Sequence, residues 1–407
     1  MDAKTARFNL LLVLFLALPA GCRGTRTPIT DVPILRVRLL ADASRVMMAA
    51  QQPVLVTSSG DRQPRRLSFP ETPGVPVVLE ANQWRIGSVL LSSGELTLQP
   101  EVDGAMTVNG AAYHGSFKLV PTPGGRFDVV NHVDVESYLQ GVLARELFKD
   151  WDEEAFKAQA IVARTYALYE ARTQGIGRHW DVWADVRSQA YGGIAAETGK
   201  ANQAVEDSRG VVVAFGPPGQ EKIFKAYFSA CCGGAGQNPT DAFGEAFIPP
   251  LAEKHPRDLC SISTKYNWPA VAIPKAELTR RIKSWGASRN HPVQRLGNLD
   301  RIDIEYVNTF GRPVRFLLTD TSGQRFTLGS EETRWAINAD RGGGPQLLSS
   351  YFKPVNRSSD IVFSEGHGHG HGVGMCQWCA QSMALQGIRA EQIVRYSYPQ
   401  SVLIRAY

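Results

Sequence analysis

The sequence predicts an α+β fold, with a β-rich N-terminal region followed by a mixed region of helices and antiparallel sheet. Three observations carry this. From residue 33 to about 120, apolar and polar positions alternate at period two between Gly, Pro, Asp and Ser breaks, the pattern of half-buried strands joined by turns. Residues 135–172 switch to helical apolar spacing. Strand-like stretches then return after residue 210. A chain of 407 residues with 43% hydrophobic and 20% charged side chains is long enough for two or three domains and has an ordinary globular composition. Its formal net charge of +5 is mild, and no basic run with interleaved aromatics points to nucleic acid.

The elements follow in order. Residues 1–22 read as a secretory signal: Lys4 and Arg7, then the short apolar run LLVLFLALPA, then Gly21-Cys22. The run is too short for a good spanning helix. Cys22 stands where a bacterial lipoprotein signal carries its lipidated cysteine, although Pro19 occupies a position where Leu is usual; cleavage near Ala20 is the plain alternative. The expected location is therefore outside the cytoplasm, in the cell envelope, with an N-terminal lipid as the candidate membrane attachment. Residues 23–32 form a tether. The β-rich region, 33–125, is carried by ILRVRLL, PVLVTS, VPVVLE, WRIGSVLL, ELTLQP and SFKLV. From 126 to 407 the chain reads as the functional domain. VESYLQGVLAREL (135–147) is one helix; EEAFKAQAIVARTYALYEAR, opened by Asp150 with Glu153 three residues on, is a second. GVVVAF (210–215) and KIFKAYFSA (222–230) are strands for these helices to pack on. RIDIEYVNTFGRPVRFLLTDTSGQRFTL is a further β stretch, with turns at Gly311-Arg312-Pro313 and Ser322-Gly323. A helix from about Met375 to Gln386 and a helical piece at EQIVRYSY close the chain.

Five places can carry chemistry. Glu146 lies near the end of its helix beside Leu143, Leu147 and Phe148; partial burial and the negative helix end both raise a carboxyl pKa, which suits a general acid. Its ordinary alternative is a solvated glutamate paired with Arg145 or Lys149. Gln159 and Arg164 stand on an alanine-rich helix, where they either line a cleft or serve structure. Ser188, Gln189 and Tyr191 precede a Gly-Gly turn and offer polar contacts. In FSACCGG (228–234), one of the adjacent cysteines is expected to pair with Cys260, because neighbours rarely bridge each other; a Cys nucleophile with His371 as base is the catalytic alternative. In GHGHGHGVGMCQWCA (366–380), an extended backbone would turn His367, His369 and His371 to one face, where they could hold zinc with Cys376 or Cys379. The spacing matches no standard zinc motif. If Cys22 is lipidated, five cysteines remain, and the odd one must stay free, bind metal or pair between chains.

VDVESYLQGVLAREL, EEAFKAQAIVARTYAL, SQAYGG, FSACCGGAGQNPTDAFG and GHGVGMCQWCAQSMALQGI, in this order, resemble the SpoIID/LytB family of bacterial cell-wall proteins. The resemblance covers most of the chain from residue 33. It implies that Glu146 is the catalytic acid of a lytic transglycosylase, which cleaves the MurNAc–GlcNAc bond of peptidoglycan to a 1,6-anhydro product without water. It implies that Gln159, Arg164, Gln189, Tyr191, Ser229 and His371 line the glycan cleft, and that the glycan has first been stripped of stem peptides by an amidase. One carboxyl can serve both proton transfers, so no cofactor is required; some family members bind zinc near the cleft, their ligands are not assigned to residues of this chain, and zinc is left open. The family's other branch, the amidase enhancers, implies the alternative of a non-catalytic activator. Where the family reads GMSQ-x-GA, this chain has Cys376 and Cys379, one helical turn apart. That pair suggests a local disulfide, a link to Cys231 or Cys232, or a soft metal.

Overall fold

A computed structural model describes residues 31–407 except 62, 72–73, 102–103, 186 and 255–258. The signal segment, Cys22 and most of the tether lie outside the described residues. The α+β class is found, with eight α-helices among the described residues: α1 (Val135–Glu146), α2 (Glu153–Arg172), α3 (Gly199–Asp207), α4 (Pro239–Phe243), α5 (Lys275–Ser288), α6 (Ser330–Asn338), α7 (Gln377–Leu385) and α8 (Ala390–Ser397). No helix among the described residues is long and apolar enough to cross a membrane.

The N-terminal strands form two sheets. In strands Val54–Ser58 and Leu96–Pro100, alternate side chains turn inward, Val54, Val56, Leu96 and Leu98 being fully buried. They meet Met48, Trp84, Phe117 and Phe127 from both sheets in one core. Each such side chain contributes about 1.5–3 kcal/mol by leaving water. Strand Arg126–Asp134 pairs antiparallel with both Ser116–Thr122 and Ile34–Ala43 and runs directly into α1. The expected division at 125/126 therefore passes through a hairpin of one sheet.

A second core surrounds α2. Asp134 caps α1 by accepting from the Glu136 and Ser137 amides, and Val135, Tyr138, Leu139, Val142 and Leu143 form its buried stripe. The cap of α2 is Asp152, not Asp150: its side chain accepts from the Glu154 amide. Most of α2 is buried, with α3, α7 and α8 packed around it together with strand Val211–Phe215. That strand pairs with Val402–Arg405 and with Lys222–Ile223. The expected strand 222–230 is broken, because its far end, Phe228–Ser229, pairs instead in parallel with Met375–Cys376.

A third core lies in residues 267–367, where α5 and α6 pack on the meander Leu299–Val307, Pro313–Asp320, Arg325–Gly329. Residues 126–407 thus hold two apolar cores rather than one. The five described cysteines form a separate small buried cluster, with Leu259, Tyr266 and Trp378 packed against it.

Candidate functional site

Glu146 is the last residue of α1, and its carboxyl faces a cavity of about 610 Å³. Tyr166, Ser188, Lys225, Tyr227, Ser229, His371 and Gln377 also line it, with Phe243 and Trp335 at one side. The two aromatic rings lie nearly parallel, 6.2 Å apart. Burial raises the Glu146 carboxyl above the usual carboxylate range. Two hydrogen bonds partly oppose this: the Ala190 amide donates to Oε1 at 3.1 Å, and Gln377 Nε2 reaches Oε2 at 3.4 Å. Among the described residues Glu146 has no ion pair, with Arg145 and Lys149 or with any other cation.

The other cavity acids are placed differently. Burial pushes the Glu331 carboxyl up, but the Arg334 guanidinium outweighs it and holds Glu331 below its ordinary value. Glu245 pairs with Lys225 at 3.6 Å and accepts from Tyr227 Oη at 2.6 Å. A carboxyl raised by burial therefore stands beside two acids that are engaged by neighbouring cations.

The sequence-predicted residues divide into four groups. Ser229 and His371 line the cavity with Glu146. Ser229 Oγ accepts from the Gly372 amide at 3.1 Å, which fixes the approach of the glycine loop. Gln159 is fully buried behind the cavity, where Gln377 Nε2 lies 3.4 Å from its Oε1. Gln189 and Tyr191 are buried between elements: Gln189 accepts from Tyr138 Oη at 3.0 Å, and Tyr191 Oη donates to Asn131 at 3.1 Å. Arg164 is away from the cavity. Its fully buried guanidinium makes a two-pronged pair with Glu136, Nε to Oε1 at 3.1 Å and Nη2 to Oε2 at 2.6 Å, and also reaches the Val211 and Val205 carbonyls. A charge this deep needs its counter-ion close by, so Arg164 holds α1, α2 and the strand after α3 together. Among the lining residues missed by sequence reasoning are Gln377, Lys225, Tyr227, Phe243 and Trp335. Gln377 had a signal, since it lies inside the GMCQWCA motif.

The three histidines do not converge. Gly368, Gly370, Gly372 and Gly374 all take positive φ, so the alternation of an extended strand is lost. His367 packs on Tyr266 and Tyr351, His369 bridges backbone to backbone with Cys231, and His371 packs on Tyr227 and Phe243. Burial drops the His371 imidazole to about 4, and its Nδ1 accepts from the Val373 amide at 3.0 Å. It is neutral and bonded, which makes it a poor general base. The Cys231 thiol is pushed up to about 12, chiefly by its hydrogen bond with Cys260. No thiolate–imidazole pair is formed among the described residues. What does converge is sulfur: Cys232, Cys260, Cys376 and Cys379 bring their Sγ atoms within 4.8 Å of one another, with all five described cysteines unbridged.

Residues 123–215, which hold Glu146, α2 and the SQAYGG turn, match the family model described as SpoIID, stage II sporulation protein. An uncharacterized protein of Brachyspira hyodysenteriae is 28% identical over 298 residues, spanning 73% of this chain and 74% of that protein. The amidase enhancer of Bacillus subtilis is 22% identical over 293 residues, spanning 65% of this chain but only 40% of that longer protein.

Proposed function

We propose, on the premise that this chain belongs to the SpoIID family, that it is a lytic transglycosylase of the bacterial cell wall with Glu146 as its acid and base. The observation that carries this reading is the raised carboxyl of Glu146 at the wall of a cavity large enough for part of a glycan strand. Protonated Glu146 donates to the glycosidic oxygen between MurNAc and GlcNAc as that bond breaks. The resulting carboxylate is held by the Ala190 amide and Gln377. It then takes the proton of the MurNAc C6 hydroxyl, whose oxygen closes on C1 to give the 1,6-anhydro ring. Atoms and protons balance with no water consumed and no second carboxylate needed. This agrees with a cavity whose other acids, Glu331 and Glu245, are committed to Arg334, Lys225 and Tyr227. Phe243 and Trp335 offer apolar faces for sugar rings.

The reading includes export to the cell envelope by residues 1–22, with Cys22 as the lipid attachment, and a substrate already cleared of stem peptides by an amidase. The name of the Bacillus relative favours a second reading, in which this chain enhances such an amidase without cutting glycan. Digestion of peptide-stripped glycan strands separates them. Wild-type protein should release anhydro-ended saccharides detectable by mass spectrometry, and Glu146→Gln should not. If wild type yields none while raising the rate of a cell-wall amidase, the enhancer reading replaces the enzyme.

A further inference from the structure

The five described cysteines come from three distant stretches of chain, and the fold draws them together. The parallel pairing of Phe228–Ser229 with Met375–Cys376 sets the Cys231-Cys232 turn against the start of α7. The short turn of helix Leu259–Ile262 brings Cys260 to the same point. Cys232, Cys260, Cys376 and Cys379 are 4%, 0%, 8% and 4% exposed. Four buried thiols set chiefly against one another are a poor use of a core position.

The geometry points to a metal centre: we propose that Cys232, Cys260, Cys376 and Cys379 are the four ligands of a structural zinc ion. Zinc bound by four thiolates at about 2.3 Å sets its sulfurs roughly 3.8 Å apart. The four Sγ atoms lie within 4.8 Å of one another, and Cys232 and Cys260 are 3.5 Å apart. Each ligand thus needs only a small adjustment to close on a common centre. Two disulfides would instead have to split the quartet into pairs at about 2.0 Å.

Two further features match a bound cation. The Cys376 sulfur accepts the backbone amides of Cys232 at 3.3 Å and Cys379 at 3.4 Å, at the N-terminus of α7. Amide-to-sulfur bonds and a positive helix end are what a metal-bound thiolate uses to spread its charge. A divalent ion with four thiolates carries a net charge of −2, and two cations stand beside the cluster. Arg312 is fully buried, with Nη1 3.3 Å from the Cys232 carbonyl. Lys254 lines the same small cavity as Cys232, Cys376 and Cys379; it donates to the Ser397 carbonyl and has no carboxylate ion pair among the described residues. Tetrahedral sulfur selects zinc or iron, and a closed four-ligand set leaves no open position for chemistry.

The place of the centre gives it a consequence. Between Cys376 and Cys379 stand Gln377, which reaches Glu146, and Trp378, which packs edge-on against Trp151 at 4.8 Å. Cys231, beside a ligand, is bridged to His369 of the cavity wall. The ion would therefore pin the strand-to-helix junction that forms one side of the cleft. It plays no part in the bond-breaking step, and it stands whether or not Glu146 is catalytic.

The test is metal analysis of the full chain, purified without chelator or added reductant. About one zinc per chain is expected, released as a mercurial titrates the unbridged thiols, the four ligands and Cys231 among them. Cobalt exchanged into the site should show thiolate charge transfer and the strong visible bands of a tetrahedral complex. Cys231→Ser should keep the zinc, whereas Cys379→Ser should weaken its binding by at least about 100-fold, more than an outer-shell change does. Should Cys379→Ser fail to fold, the wild-type thiol count and cobalt spectrum still decide. Metal-free protein whose mass shows two disulfides overturns the proposal. So does iron in place of zinc, or full zinc retention in Cys379→Ser.

Discussion

Arg164→Met puts the buried Arg164–Glu136 pair to the test. The substitution keeps the length of the side chain and removes its charge. It leaves the Glu136 carboxylate, 4% exposed, with only the Gly210 amide at 3.1 Å and the Tyr407 hydroxyl as donors. Removing one partner of a buried ion pair costs about 3–5 kcal/mol. The two surviving donors place the expected loss near the lower end, about 3 kcal/mol. Urea unfolding followed by tryptophan fluorescence reads this directly. The double variant Arg164→Met/Glu136→Gln removes the stranded charge, so it should be more stable than Arg164→Met alone by about 1–2 kcal/mol. A loss below about 1 kcal/mol for Arg164→Met, or a double variant as unstable as the sum of the singles, would refute the assignment. Glycan binding lost at unchanged stability would return Arg164 to the cleft.

Three further outcomes are expected. Gln377→Met removes a donor that favours ionised Glu146, so the carboxyl pKa rises further. Because the acid must be protonated to act, the alkaline limb of the kcat/KM profile should move to higher pH, and a downward move would contradict this. Glu146→Gln should be more stable than wild type at neutral pH, because an acid whose folded pKa is raised loses stability as pH rises through it. That advantage should shrink in urea titrations as pH falls to the ordinary glutamate range, and an advantage that grows there would be wrong for a buried acid. Gly374→Ala should cost at least about 2 kcal/mol, since φ is +72° and the new methyl would meet the Tyr227 carbonyl at 1.9 Å. Thermal denaturation no different from wild type would mean that the loop rearranges freely.

Helices α1 and α2 were legible because each buries a stripe at helical spacing, and the N-terminal strands because their inward residues alternate. The start of α2 slipped by two residues because Asp150 and Asp152 can each cap a helix and only the backbone angles choose. α5 left a signal that was passed over: Leu278, Arg281, Ile282 and Trp285 repeat at three and four residues. The break in 222–230 could not be read locally, since its two ends pair with partners from opposite ends of the C-terminal region.

The site was legible in the same uneven way. The apolar neighbours and helix end of Glu146 pointed to a raised carboxyl, but only the family resemblance set it above the solvated alternative. Spacing left Arg164 open between cleft and structure and the resemblance put it in the cleft; its partner, Glu136, lies on another helix, about which spacing along α2 says nothing. The histidines appeared to share a face only while their glycines were assumed extended. The meeting of Cys232, Cys260, Cys376 and Cys379 depends on a parallel strand pair that no local pattern announces.

In the proposed reaction Glu146 both gives and takes the proton while an internal hydroxyl, not water, closes the cleaved bond. Digestion of peptide-stripped glycan in heavy-oxygen water separates these two routes. Wild type should give anhydro-ended products that carry no label, and Glu146→Gln should give no products. Reducing-ended products carrying one heavy oxygen, or unlabelled anhydro products made equally well by Glu146→Gln, would contradict the proposed reaction.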